Sequence, residues 1–233
     1  MKMGKMVEIS TLDGSGRFRA YRANPNSSPR GAIVVIQEIF GLNPGIRARC
    51  DRWAENGYLA VALDLFWRDT PNLNLDPDVP EQLQQAFGHY QKFDKDLGIQ
   101  DLEATIRYAR TESGGRVGVV GYCLGGMLTY LCATRTDTDA SVAYYGGGID
   151  AFLGESHAIA RPILLHFAEQ DHFIPSDTIA LIKKELGSNP HAAIHTYPGV
   201  DHGFATESGK RRVADAAELA DSRTAAFFAE HIG

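Results

Sequence analysis

Short apolar runs alternate along this chain with longer stretches of helical spacing. Val7–Leu12 and Phe18–Arg22 flank the turn-forming Asp13-Gly14-Ser15-Gly16 and predict an opening hairpin. Ala23–Arg30, rich in Asn, Ser and Pro, reads as a loop. Ala32–Ile36 is continuously apolar, as expected of a strand buried on both faces. A helix is expected from Pro44 to Asn56, stopped by Gly57, and Tyr58–Leu63 is the next buried strand. Phe66–Pro80 is polar and Pro-rich and reads as an excursion over the surface. Glu81–Asp94 and Lys95–Thr111 carry helical spacing, with Leu97, Leu102, Ile106 and Ala109 marking the apolar face of the second. Val117–Val120, Ala140–Tyr145, Pro162–Ala168 and Ala193–Tyr197 predict further strands. Met127–Ala133, Ser176–Leu186 and Ala214–His231 predict helices.

Strands joined by helices predict an α/β protein with a mostly parallel twisted sheet and helices on both faces. The chain shows no internal repeat, low-complexity tract or linker, and its 233 residues suit a single domain spanning 1–233. Hydrophobic residues make up 44% and charged residues 22%, the balance of an ordinary globular protein. A net charge of −6 gives no electrostatic case for nucleic acid or an anionic membrane as partner. No run approaches the roughly 18 apolar residues that cross a bilayer. Met1–Glu8 has basic residues without an apolar core after them and does not read as a signal peptide. Three cysteines, Cys50, Cys123 and Cys132, do not suggest a disulfide framework, and a reducing cytoplasm is expected.

Sheets of this kind bind ligands at the carboxyl ends of their strands. The segments to watch are Gln37–Phe40, Asp64-Leu65, Gly121–Gly125, Tyr144–Gly148, Glu169–His172 and Gly199–Phe204. Gly121-Tyr122-Cys123-Leu124-Gly125 lies between a predicted strand and a predicted helix. With serine at its centre this is the nucleophile elbow of α/β-hydrolases; here a thiol takes that place. A tight turn pushes the central side chain out of the sheet, and flanking glycines leave room for it. Cysteine attacks as thiolate, and with a free pKa of about 8.5 it needs a base oriented by a carboxylate. Asp171 and His202 supply these in the chain order nucleophile, acid, base, with His172 and Asp201 as rival neighbours. Cys50, Cys132 and His166 fall in apolar settings and read as core residues. His166, His172 and His202 lack metal-ligand spacing, and Gly146-Gly147-Gly148 matches no phosphate or dinucleotide fingerprint, so no metal or cofactor is expected. The triple glycine suits a close backbone approach.

From about Gly31 to Phe228 the chain resembles the dienelactone hydrolase family of α/β-hydrolases. The resemblance rests on Val35-Ile-Gln-Glu-Ile-Phe-Gly-Leu-Asn43, Gly57–Leu65, Asp101–Ala109, Val119-Val-Gly-Tyr-Cys-Leu-Gly-Gly126, Tyr144-Tyr-Gly146, Gln170–Pro175 and Asp201-His-Gly-Phe204. It implies a triad of Cys123, His202 and Asp171, with Glu38 as an additional carboxylate that deprotonates the thiol when substrate binds. It also implies an oxyanion hole from the backbone N–H groups of Ile39 and Leu124. Leu83, Phe87, Phe40, Tyr144, Tyr145 and Thr206 are the implied pocket residues. Leu83 and Thr206 stand where the family's well-known member has substrate-binding arginines. Gly203 stands where a serine is usual, and Phe87 where a tyrosine is usual. Arg68, Lys92, Lys95, Lys210 and Arg211 are cations able to substitute.

The implied activity is cleavage of a small-molecule ester or lactone, such as an enol lactone of aromatic catabolism, through a thioester acyl-enzyme. A monomer or weak homo-oligomer is expected. The missing arginines leave a non-carboxylated ester or thioester as a second reading. Ligand binding or oxidant sensing through Cys123, without catalysis, is a third.

Overall fold

In a computed structural model, which describes residues 4–207 and 209–233, the predicted alternation of strands and helices is present. The first three residues of the basic N-terminal stretch lie outside the described residues. The strands are β1 (Lys5–Ser10), β2 (Arg17–Ala23), β3 (Ala32–Ile36), β4 (Leu59–Leu63), β5 (Val117–Tyr122), β6 (Ala140–Tyr144), β7 (Ile163–Ala168) and β8 (Ala192–Tyr197). They form one sheet in the order β1-β2-β4-β3-β5-β6-β7-β8. The opening hairpin pairs antiparallel, and β2 pairs antiparallel with β4. From β4 to β8 every pairing is parallel. The strands β3–β7 are buried throughout, which is why they read as continuous apolar runs rather than alternating ones.

The helices are α1 (Pro44–Glu55), α2 (Pro80–Lys92), α3 (Lys95–Ser113), α4 (Leu124–Arg135), α5 (Ser176–Leu186) and α6 (Ala214–His231). Local chemistry sets several starts. The Asn43 side chain accepts from the Ile46 N–H at 3.1 Å, and Pro44 needs no N–H partner at the first position of α1. The Asp94 carboxylate caps α3 by accepting from Asp96 and Leu97, each at 3.0 Å. Helices α3 and α4 pack on one face of the sheet and on each other. On the other face α1 meets α6, where the Trp53 and Phe228 rings stand edge to face at 5.4 Å.

Two segments depart from the sequence-based expectation. Phe66–Pro80 is not a simple surface excursion: Phe66, Leu73 and Leu75 are buried. The Leu75 N–H donates to the Phe40 carbonyl at 2.9 Å, so this segment walls the strand ends. The residues after Gly146-Gly147-Gly148 form a 3₁₀ segment, Ile149–Ala158, which the sequence did not announce.

Candidate active site

The turn between β5 and α4 puts Cys123 above the sheet with φ 57° and ψ −116°, left-handed backbone that a side chain rarely adopts. Such conformations cost about 1–3 kcal/mol and survive when the surroundings impose them. Here the Cys123 N–H donates to the Tyr144 carbonyl at 3.1 Å and its own carbonyl accepts from Met127 at 3.1 Å. A Cβ on Gly121 would lie 2.1 Å from the Gly125 carbonyl oxygen, so the turn closes only around hydrogen. The Cys123 side chain is partly exposed, unlike Cys50 and Cys132, which are fully buried with thiols pushed up by desolvation.

His202 and Asp171 come from the loops after β8 and β7. His202 Nδ1 lies 2.9 Å and 3.1 Å from the two Asp171 carboxylate oxygens. The Asp171 Oδ1 also accepts the backbone N–H groups of Phe173 at 2.9 Å and Ile174 at 3.1 Å. These bonds leave the Asp171 carboxylate acceptor-only, so His202 carries its proton on Nδ1 and points Nε2 outward. The buried Nε2 has no aligned hydrogen-bond partner among the described residues. Burial by itself favours the neutral imidazole. A thiolate at Cys123, together with Asp171, would override it and push the His202 pKa up to about 10; with the sulfur protonated or acylated that pull is absent and Nε2 is free to accept a proton.

The rival pair does other work. Asp201 accepts from the His172 N–H at 3.0 Å and from the His202 N–H at 2.6 Å, and His172 Nδ1 lies 2.8 Å from both of its oxygens. His172 is exposed and Asp201 holds the two loops together. His166 is a satisfied core residue, as expected: Nδ1 is 2.8 Å from the Tyr197 hydroxyl and Nε2 is 3.1 Å from Thr224 Oγ1. Among the described residues no group of three or more His, Cys, Asp or Glu is arranged to hold a metal ion.

Glu38 follows β3 and is buried. Its neighbour Gln37 ties this strand end to the next, accepting from the Leu65 N–H at 3.3 Å. Burial raises the Glu38 carboxyl above its usual range, while His202, Arg49, Arg211 and the Tyr145 hydroxyl pull it back. The Ile39 and Leu124 N–H groups donate to no acceptor among the described residues.

A cavity of about 200 Å³ opens over Cys123. Its lining brings together Glu38, Ile39, Phe40, Leu83, Phe87, Cys123, Leu124 and His202. Three other expected pocket residues lie elsewhere. Tyr144 turns beneath the sheet, its hydroxyl 2.6 Å from Thr224 Oγ1 and 3.0 Å from Asp221, because it is the last residue of β6 and faces α6. Tyr145 and Thr206 line a second cavity behind Glu38. Two lining residues, Tyr90 and Phe173, were not singled out in the sequence. Tyr90 was accessible, since Leu83, Phe87 and Tyr90 stand at helical spacing on one face of α2.

Of the five candidate cations, Arg211 lines the Cys123 cavity and the others do not. Arg68 forks onto Asp101 at 2.8 Å and 3.0 Å, and the Lys210 backbone N–H binds Asp78. The Arg211 stem crosses Gly203, where a Cβ would come within 3.1 Å of Arg211 Cδ, with φ 78° strained for any side chain.

The family model for the dienelactone hydrolase family matches residues 18–232. The chain is 41% identical to a carboxymethylenebutenolidase of Pseudomonas putida over 96% of this chain and 95% of that one. It is 38% identical to carboxymethylenebutenolidase 1 of Cupriavidus pinatubonensis over 94% and 93%. A crystal structure from Klebsiella pneumoniae, named "Putative Dienelactone Hydrolase", superposes with a TM-score of 0.84 at 27% identity, covering 99% of this chain and 100% of that one. The strand order, the elbow and these likenesses agree: the chain is a hydrolase that belongs to the dienelactone hydrolase family and has the α/β-hydrolase fold.

Proposed function

We propose that this hydrolase cleaves a compact ester or lactone with Cys123 as nucleophile. The observation that carries the reading is that the elbow cysteine, His202 and Glu38 line one cavity while Asp171 holds His202 Nδ1. With substrate bound, Glu38 takes the proton from Cys123 Sγ. The thiolate attacks the carbonyl carbon, and Ile39 and Leu124 N–H groups hold the oxyanion. The acyl C–O bond breaks, the leaving oxygen departs as an enolate or alkoxide, and a thioester remains. His202 Nε2 then takes a proton from water, hydroxide adds to the thioester, and the C–S bond breaks. The His202 proton returns to sulfur. The free thiols at Cys50, Cys123 and Cys132 fit a reducing cytoplasm.

The cavity is smaller than the usual range of about 300–1,000 Å³, which favours a compact substrate. Its walls are mainly apolar, with Arg211 the one Arg or Lys among its lining residues. An anionic group on the substrate is the chemistry such a lone guanidinium selects. The apolar Leu83 and the placement of Thr206 in the cavity behind Glu38 favour, as a second reading, a neutral ester. The test measures kcat/KM on a carboxylated dienelactone and a neutral aryl ester for the parent, Cys123→Ala and Arg211→Ala. Turnover should vanish in Cys123→Ala. Arg211→Ala should raise KM for the acid about tenfold or more and leave the neutral ester alone. Turnover surviving in Cys123→Ala refutes the thiol mechanism. Equal behaviour of both substrates in Arg211→Ala favours the neutral ester, and an inert parent favours binding or oxidant sensing.

A further inference from the structure

The His202 ring is tied at one end only. Asp171 bonds Nδ1, while Nε2 has no hydrogen-bond partner among the described residues. An imidazole bonded at one end tilts about that contact unless neighbouring groups pack against it. Two aromatic rings do so. The Tyr145 ring centroid lies 5.0 Å from that of His202 at an interplanar angle of 61°, and the Phe173 ring lies 4.9 Å away at 80°. Both are edge-to-face arrangements, a geometry that aromatic rings prefer.

The two supports differ in setting. Tyr145 is fully buried, and its N–H donates to the His166 carbonyl at 2.8 Å, so it belongs to the core. Phe173 is 44% exposed and lines the Cys123 cavity. Its place is set by loop contacts rather than by the core. Its N–H donates to Asp171 Oδ1 at 2.9 Å, so the carboxylate that bonds His202 and the ring that packs on it sit two residues apart in one loop. The His172 ring lies 3.9 Å from the Phe173 ring, and His172 is bound to Asp201, which also accepts the His202 N–H. The Phe87 ring of α2 lies 6.0 Å from Phe173 at 55°. The one buried residue of α2 is Ala86, so Phe87 is carried by a helix lying on the surface.

We infer that Phe173 is a positioning residue for His202: its ring, braced by Phe87 of α2, completes an aromatic clamp that holds Nε2 where it takes a proton from water during deacylation. The inference rests on His202 being the base of the proposed thiol mechanism. Phe173 takes no proton and makes no covalent bond in this role. It narrows the arc through which the imidazole swings, and a general base contributes its roughly 10²–10⁴-fold only when it is so placed.

Phe173→Ala tests this. The ring is half-exposed, so its removal should leave the protein folded, which thermal unfolding checks. Stopped-flow mixing with an activated aryl ester gives the acylation and deacylation rate constants separately. A ring that only walls the cavity predicts weaker binding or slower acylation, with deacylation within about twofold of the parent. The clamp predicts that deacylation falls about tenfold more than acylation does. Phe173→Tyr keeps the ring and should restore deacylation to within about twofold of the parent. Phe87→Ala should lower deacylation less than Phe173→Ala. The double variant should lose no more than Phe173→Ala alone, because the first residue acts through the second. Parent-like deacylation in Phe173→Ala, equal losses in both steps, or a loss that Phe173→Tyr does not recover overturns the inference. Additive losses in the double variant overturn the bracing assigned to Phe87. His202→Gln is measured alongside. If it deacylates as the parent does, His202 is not the base and that reading fails; if it does not, while Phe173→Ala matches the parent, the clamp alone fails.

Discussion

Replacing Asp171 with Asn separates the two halves of the proposed reaction. Oδ1 accepts two backbone N–H groups, from Phe173 and Ile174, at 2.9 Å and 3.1 Å. In Asp171→Asn the amide oxygen must stay on those donors, because turning the NH₂ toward them would set donor against donor. The NH₂ then faces His202 Nδ1 where the carboxylate oxygen stood at 2.9 Å. Nδ1 must become the acceptor, and the imidazole proton moves to Nε2, the atom that has to take a proton from water. In serine triads this wrong tautomer costs about 10⁴ in kcat. That is roughly 5.4 kcal/mol at 1.36 kcal/mol per decade. The thiol, by contrast, loses its proton to Glu38, so acylation should suffer far less than deacylation. Stopped-flow mixing with an activated aryl ester should show a burst of one equivalent of phenol per site, followed by turnover slowed about 10⁴-fold. Deacylation within tenfold of the parent refutes the assigned role of Asp171. Loss of burst and turnover together refutes Glu38 as the base of the first step.

Glu38→Gln should raise thermal stability near neutral pH while lowering activity. The folded pKa of Glu38 lies above its ordinary value because of burial, so its contribution is complete below the unfolded pKa and fades as pH rises through the folded one. The Tm advantage of the uncharged variant should therefore be present at pH 7 and close near pH 4, and a gap independent of pH refutes the assignment. Gly121→Ala should cost at least about 3 kcal/mol, since its Cβ would lie 2.1 Å from the backbone oxygen of Gly125 and 2.5 Å from Thr129 Oγ1. Thermal or denaturant unfolding measures this, and a loss below about 1 kcal/mol would refute the close-approach account.

The sequence by itself determined what depends on a few neighbouring residues. The elbow at Gly121–Gly125 was legible because its glycines and its strand and helix flanks act within one turn of chain. The buried strands were legible because burial on both faces erases polar alternation. Asp171 and His202 were legible because a parallel sheet places every post-strand loop at one edge. Whatever depends on which way a side chain faces across that edge was decided by the tertiary structure. Tyr144 and Tyr145 are adjacent, yet one hydroxyl runs under the sheet to Thr224 and the other sits behind Glu38. Thr206 follows His202 by four residues and lines the far cavity rather than the one over Cys123. Arg211 lines the Cys123 cavity while the four other cations do not, and its stem lies beside Gly203, a contact between chain segments that no local pattern encodes. The antiparallel joining of β2 to β4 and the inward turn of Leu73 and Leu75 have the same origin. Local rules fix where the elbow thiol is presented, and packing between distant segments fixes what surrounds it.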